Sequence, residues 1–278
     1  MPVPSTRRAL LLSLLVAAAL PVAPLAAQTA TDPKVVWDLG TGRGGWCVYF
    51  LMSPKEASGQ LLKGLRVIPA SDWRDLVAPL RRVITDQPEY ASWIPSEACL
   101  WFADGITANR RPYETGDGGR ALSLFWWGIA ATGEASGGKP VLSQVTLATN
   151  SSGLKRQMEL EFIQMDRIEI RRDSVHETGD EEMSYKLDRT IISFAGHPRP
   201  DSSLVAAPVA HDALVKGDNN RIWLEQFRAT PTELAGLSGS LRIQGKGALA
   251  KALTESPIRM IGSVSLGGTG QVRFSQVP

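Results

Sequence analysis

The sequence predicts an α+β fold: an N-terminal α/β layer with two or three short helices, followed by a mainly antiparallel β-sheet, curled or barrel-like. Helix-start signals and helical spacing of apolar residues are concentrated before Trp93. From Arg120 onward, runs of β-branched and aromatic residues are separated by clusters of Gly, Asn, Asp and Ser, the pattern of strands and turns. No internal repeat, low-complexity tract or coiled-coil heptad interrupts either pattern.

KVVWDL (Lys34–Leu39) and WCVYFLM (Trp46–Met52) are rich in residues that favour a pleated backbone, and predict strands flanking a tight glycine hairpin. Ser53 then caps a helix, with Pro54 in the first helical position, Glu56 completing a capping box and Gly64 as its stop. Trp73, Leu76, Val77, Leu80, Val83 and Ile84 share one face of a second helix, which Pro79 should kink or split. A short turn of helix is expected over QPEYASW, and a strand over Glu97–Thr107. Later strands are expected over RALSLFWWGIAAT, VLSQVTLAT, RQMELEFIQ, RIEIRRDSV, MSYKLDRTIISFA, RIWLEQFRA, SLRIQGK, IRMIGSVSL and QVRFSQV. Gly196–Ala210 reads as a surface loop, and two short helices as interruptions: TPTELAG, capped by Thr230 and Glu233, and GALAKALTE. Gly133–Pro140 is either a linker or a long hairpin loop, dividing the mature chain into 28–132 and 141–278, or leaving it one domain.

The first 27 residues have the layout of a cleaved secretory signal: Arg7 and Arg8, a 12-residue apolar run from Ala9 to Leu20, then small residues ending at Ala27. That run is shorter than the roughly 20 residues needed to span a bilayer. The expectation is a periplasmic or secreted protein with no membrane span in the mature chain, exported by the general or the twin-arginine route. The leader contains two of the 30 Lys and Arg and none of the 28 Asp and Glu, so the mature charge balances at zero. A balanced chain without basic runs has no electrostatic footprint for nucleic acid. Cys47 and Cys99, the only two cysteines, are expected to form one structural disulfide in an oxidising compartment.

Gly40, Gly42 and Gly45 satisfy G-x-G-x-x-G, and DLGTGRGG resembles the first motif of adenosylmethionine-dependent methyltransferases over Asp38–Gly45. That resemblance implies a nucleotide-type cofactor held at a helix N-terminus. The residues after Gly45 are strand formers, so the glycines read as a structural turn and no cofactor is expected.

Other catalytic patterns are incomplete. SVSLG (Ser263–Gly267) lacks the first glycine of the nucleophile elbow and any downstream His. SGLK matches S-x-x-K through Ser152 and Lys155 without its companion elements, and Gly245–Lys246 lacks the rest of a phosphate loop. His176, His197 and His211 have no metal-ligand spacing and read as surface or loop residues. GDEE (Gly179–Glu182) and GDNN (Gly217–Asn220) lack the alternating acids of a calcium loop, and no metal is expected.

Seven of the eight tryptophans precede Gly133. Adjacent Trp126 and Trp127 should point to opposite faces of a strand, and with Trp101 they form the candidate ligand platform, weighed against plain core packing. The function expected is therefore a non-catalytic envelope protein that binds a partner protein, a glycan or an apolar ligand, or acts as a scaffold. The alternative is an envelope hydrolase acting on glycans through an Asp/Glu pair, which has no fixed sequence spacing.

Overall fold

The computed structural model describes residues 34–39, 44–73, 78–175, 181–199, 209–254 and 258–277. The first half carries β1 (Val35–Leu39), β2 (Gly44–Met52), α1 (Pro54–Ser58), β3 (Leu65–Val67), α2 (Ala78–Asp86), β4 (Ile94–Ala103), β5 (Ile106–Ala108), β6 (Arg111–Tyr113) and β7 (Leu122–Gly133). The second carries β8 (Val141–Thr149), α3 (Ser152–Leu160), β9 (Asp166–Val175), β10 (Glu181–Leu187), β11 (Thr190–Arg199), β12 (Val209–Lys216), β13 (Ile222–Gly245), α4 (Ala248–Thr254) and β14 (Ile258–Gln276). This is the α+β class expected, mostly β-sheet with four short helices among the described residues.

All fourteen strands belong to one sheet, in the order β12-β13-β11-β10-β9-β8-β7-β4-β2-β14-β1-β5-β6, with β3 added beside β7. Pairing is antiparallel except at β8, which meets β9 and β12 in parallel. Two further pairings, β12 with β8 and β13 with β14, curl the sheet back on itself while β6 stays at an open edge. Gly133–Pro140 forms the turn between the antiparallel strands β7 and β8, with a 3₁₀ turn at Glu134–Ser136. Strands from both sides of that turn share the sheet.

β4 and β7 are buried along nearly their whole length on both faces, as central strands covered from both sides are. One face carries Trp37, Trp101, Trp126, Trp223, Phe227 and Phe274; the other carries Phe50, Leu100, Phe125, Trp127 and Tyr185. Trp126 and Trp127 thus enter opposite cores, as the two-residue period of a strand requires.

Several local expectations are corrected by pairing. β1 and β2 do not form a hairpin: both run antiparallel to β14, β1 against Gly270–Phe274 and β2 against Ile258–Leu266. They follow one another along the same edge of β14, both antiparallel to it. Gly40–Arg43 itself lies outside the described residues. Thr230–Gly236 is strand within β13, not a capped helix; Pro231 opposes Gly268 of β14 beside a register shift, the kind of irregularity at which a strand proline is tolerated. RQMELEFIQ falls largely in α3. Met158, Leu160 and Phe162 look like strand alternation, yet Leu154 and Met158, four apart, are the buried pair, and Leu160 is 66% and Phe162 37% exposed. The Ser151 hydroxyl accepts from Leu154 N–H at 3.3 Å and starts this helix.

MSYKLDRTIISFA is two strands, β10 and β11, joined at Asp188 in the left-handed region (φ 51°). The Gly196–Ala210 stretch enters β11 at one end and β12 at the other. α1 stops at Gly59, and Gly64 instead occupies a left-handed position (φ 85°) before β3. The described part of α2 runs Ala78–Asp86 with Pro79 near its start; Leu76 and Val77, and with them the expected kink, lie outside the described residues. Gly245 (φ 118°) ends β13 so closely against β11 that a Cβ would stand 1.9 Å from the Arg189 carbonyl oxygen.

Cys47 and Cys99 are direct cross-strand partners on β2 and β4 and form the expected disulfide. Their Cα atoms are 4.0 Å apart, closer than the usual ~4.4–6.8 Å, because the two residues oppose each other across one antiparallel step. Replacing both with alanine should cost about 2–4 kcal/mol, read as a lower midpoint in urea for the variant than for the oxidised wild type. An unchanged midpoint would show that the bond adds nothing to the β2–β4 ladder.

Candidate functional site

Register brings together polar residues that are far apart in the chain. Tyr49 of β2 opposes Glu97 of β4, Glu97 opposes Gly128 of β7, and Gly128 opposes Gln144 of β8. The β7–β8 register shifts at Trp127/Gly128, leaving Val145 as the extra residue of a bulge. A bulge reverses the alternation beyond it, which turns Gln144 into the interior, where it is 3% exposed. Gly128 keeps this row passable: a Cβ there would press on Leu142 side-chain atoms at 3.2 Å. From the other side β12 pairs with β8, and Ala213 of β12 opposes Glu225 of β13.

Glu225 alternates with Trp223 and Phe227 on one face of β13 and is 5% exposed, with Oε2 shielded and without a hydrogen-bond partner. The Gln144 amide approaches this carboxyl and favours its ionised form without reaching a well-formed hydrogen bond. Glu97 is half-buried and accepts from Trp126 Nε1–H at 2.9 Å. His211 of β12 stacks on Phe227 with centroids 4.8 Å apart, while Trp126 and Trp101 approach the same Phe227 ring at 5.7 and 6.0 Å. His211 is half-buried as a residue, but its Nε2 is sealed from solvent and unpaired. Its carbonyl accepts from Arg228, whose guanidinium also holds Asp212 at 2.8 Å on the outer surface.

Burial raises the Glu225 carboxyl from its ordinary 4.5 to about 8; the Gln144 contact opposes that rise and the Glu97 charge adds to it. Burial lowers the His211 imidazole below its ordinary value, with Glu97 pulling it up, Arg228 pushing it down and Asp212 pulling it up. Burial also raises the Tyr49 hydroxyl, again assisted by Glu97. Glu97 is therefore felt electrostatically at all three groups. At neutral pH the interior holds a carboxylic acid at Glu225 and an uncharged imidazole at His211. Tyr49, Glu97 and His211 mark its half-exposed side, and Gln144 and Glu225 its enclosed side.

Such a set can bind through hydrogen bonds and pass a proton at Glu225. An amine nucleophile would need a desolvated lysine, and among the residues whose burial is described no lysine is buried. Among the described residues no three His, Cys, Asp or Glu side chains converge as a metal site.

The residues singled out from the sequence fall into two groups. Trp101 (2% exposed) and Trp126 (6%) line the interior beside Glu97 and Phe227. Trp127 is fully buried on the opposite face and donates to Ser96 Oγ at 3.0 Å, a core role. All three are interior, so none offers a face to the outside. Ser152 and Lys155 stand in α3, where Lys155 pairs with Glu159 one turn on. Ser263–Gly267 is strand within β14, and Asp218–Asn220 is a 3₁₀ turn. Glu181 and Glu182 begin β10, while Gly179, Asp180 and His176 lie outside the described residues. His197 falls in β11. His211 corrects the surface reading, since it belongs to a strand facing the core. Glu97, Gln144 and Glu225 went unmarked, although WLEQF does carry a signal: an acid in the apolar phase of an alternating strand.

No family model and no curated protein matches the chain. Its fold is similar at low identity to solved acetoacetate decarboxylase-like structures. The enduracididine biosynthesis enzyme MppR complexed with pyruvate is 14% identical, with a TM-score of 0.47, over 93% of this chain and 96% of that one. Acetoacetate decarboxylase from Legionella pneumophila is 9% identical, with a TM-score of 0.49, over 89% and 88%. An acetoacetate decarboxylase-like enzyme from Sphingomonas wittichii RW1 is 10% identical, with a TM-score of 0.48, over 92% and 97%. The likeness is one of chain course, and no residue or reaction is carried across it.

Because the folded value at Glu225 lies above the unfolded one, the native chain keeps a proton that the unfolded chain gives up. That contribution is complete below about pH 4.5 and is lost as pH rises through about 8. His211, lowered, acts with opposite sign and withdraws stability as pH falls below its ordinary value. Glu225→Gln should therefore remove the alkaline loss, gaining on the order of 2–4 kcal/mol relative to wild type between about pH 5 and 9 in urea titrations. Parallel pH profiles for the two proteins would contradict a buried, proton-holding Glu225.

Proposed function

We propose that this chain is an exported protein that binds a small organic molecule in the interior bounded by Glu97, Trp126, Gln144, His211 and Glu225. The observation that carries this reading is Glu225: a carboxyl 5% exposed, with one oxygen unpaired, sharing its interior with half-buried Glu97 and His211. Burying an unsatisfied polar group costs about 1–3 kcal/mol, and such groups cluster where a ligand completes them. The aromatic rings of Trp101, Trp126 and Phe227 supply the apolar wall that small-molecule sites combine with a few converging polar groups. An outer binding face has less support, since Leu160 and Phe162 are the large exposed apolar side chains among the described residues. Export is supported by the leader-like first 27 residues together with the Cys47–Cys99 bond, which suits an oxidising compartment. No helix among the described residues is long and apolar enough to cross a membrane.

A second reading, a hydrolase acting on glycans through a carboxyl pair, is favoured by one observation. Glu97 and Glu225 share an interior yet differ in surroundings, the arrangement that separates an acid from its partner carboxylate.

Indole N–H resonances test interior binding, and hydrolysis separates the two readings. In a fragment screen monitored by ¹H–¹⁵N spectra, ligands should shift the Trp126 and Trp101 indoles and leave Trp127 still. Shifts confined to residues on the outer surface would contradict interior binding. Hydrolysis of aryl glycosides, abolished in Glu225→Gln, would establish the second reading instead.

A further inference from the structure

We infer that the interior takes an organic ammonium ion, its cationic head between Glu97 and Glu225 and its apolar remainder against Trp126 and Phe227; this rests on the interior-binding reading above. The argument is one of unmatched charge. Glu225 has a shielded oxygen without a partner, and the charged neighbour that acts on it is another acid, Glu97. Among the described residues, the titratable groups facing this interior are Tyr49 from β2, Glu97 from β4, His211 from β12 and Glu225 itself from β13. None of them is a lysine or arginine. The guanidinium that acts on His211, Arg228, is already engaged by Asp212 and by the carbonyls of His211 and Phe227 on the outer side.

An anion entering here would meet the field of Glu97 with no cation to receive it. A neutral molecule could accept from the Glu225 O–H but would leave the Glu97 charge unmatched. A cation satisfies both acids, and the flat faces of Trp126 and Phe227 add ring attraction that is strongest out of water. The proton count follows: as an ammonium head settles beside Glu225, the carboxyl O–H proton leaves to solvent and the carboxylate pairs with the ligand. No covalent bond forms or breaks apart from that O–H. Binding therefore releases up to one proton per ligand, and affinity rises with pH until Glu225 is ionised in the free protein, at about 8.

Calorimetric titration of the mature protein with benzylammonium, in two buffers of different ionisation enthalpy at about pH 7, measures affinity and proton release together. The expected result is saturable binding with proton release, and at least about tenfold weaker binding of benzyl alcohol, its uncharged isostere. Glu225→Gln should abolish the proton release, and Glu97→Gln should weaken benzylammonium about tenfold. Equal binding of benzyl alcohol and benzylammonium to the wild type would overturn the charge requirement while leaving the interior site standing. Absence of saturable benzylammonium binding, or binding unaffected by both substitutions, would also overturn it. The wild-type comparison needs no variant to fold, and the indole spectra test the site independently of ligand charge.

Discussion

The pairing of β13 with β14 is the constraint on which the rest of the structure depends. It runs from Trp223 opposite Gln276 to Leu237 opposite Ser263, broken only by the bulge at Pro231/Glu233. Along its length β13 also receives β12 near one end and β11 near the other, and β14 receives β1 and β2 on its far edge. The last strand thus ties the first two to the long strand that precedes it. A one-residue slip in this ladder would exchange Glu225 for Leu224 or Gln226 on the inner face and move Trp223 and Phe227 outward. The bulge lets a 24-residue strand carrying Pro231 bend without losing that register.

The interior acids depend on the same geometry. Trp126 fixes one Glu97 oxygen, and the disulfide clamps β2 to β4 one pleat away from the Tyr49–Glu97 pair, since Cys47 and Cys99 are two residues from them on the same strands. Glu225 lowers the cost of its burial by keeping its proton, which trades a charge for an unpaired neutral group. His211 does the converse by staying uncharged. The interior is consequently held in a state where Glu97 acts on Tyr49, His211 and Glu225 alike, and with donors and acceptors left incomplete.

How far this was legible in the sequence depends on the distance over which each feature is decided. Strands such as VLSQVTLAT and RIEIRRDSV, the helix cap at Ser53 and the opposite destinations of Trp126 and Trp127 are local matters of period and capping, and they stand as expected. Thr230–Gly236 has a local capping box, yet its place opposite Gly267 and Gly268 on β14 outweighs it. Between Ser152 and Leu160 the choice of period was ambiguous until burial of Leu154 and Met158 decided it. The glycine run looked like a reversal because nothing local reveals that both flanking strands lie along β14. The candidate site was hidden for the same reason: Glu97, Gln144, His211 and Glu225 come from four strands, and only register makes them neighbours. What the sequence did carry was the odd residue in each strand, an acid between Trp223 and Phe227 and a histidine in phase with Ala213 and Val215.

The central claim is that Glu97 and Glu225 share one enclosed interior and sense each other there. Carbon-13 NMR titration of the Glu225 side-chain carboxyl measures this directly. The account predicts ionisation near 8 in the wild type, moving to lower pH when Glu97 is replaced by glutamine and its charge is removed. Ionisation in the ordinary carboxylate range, unmoved by that substitution, would contradict it.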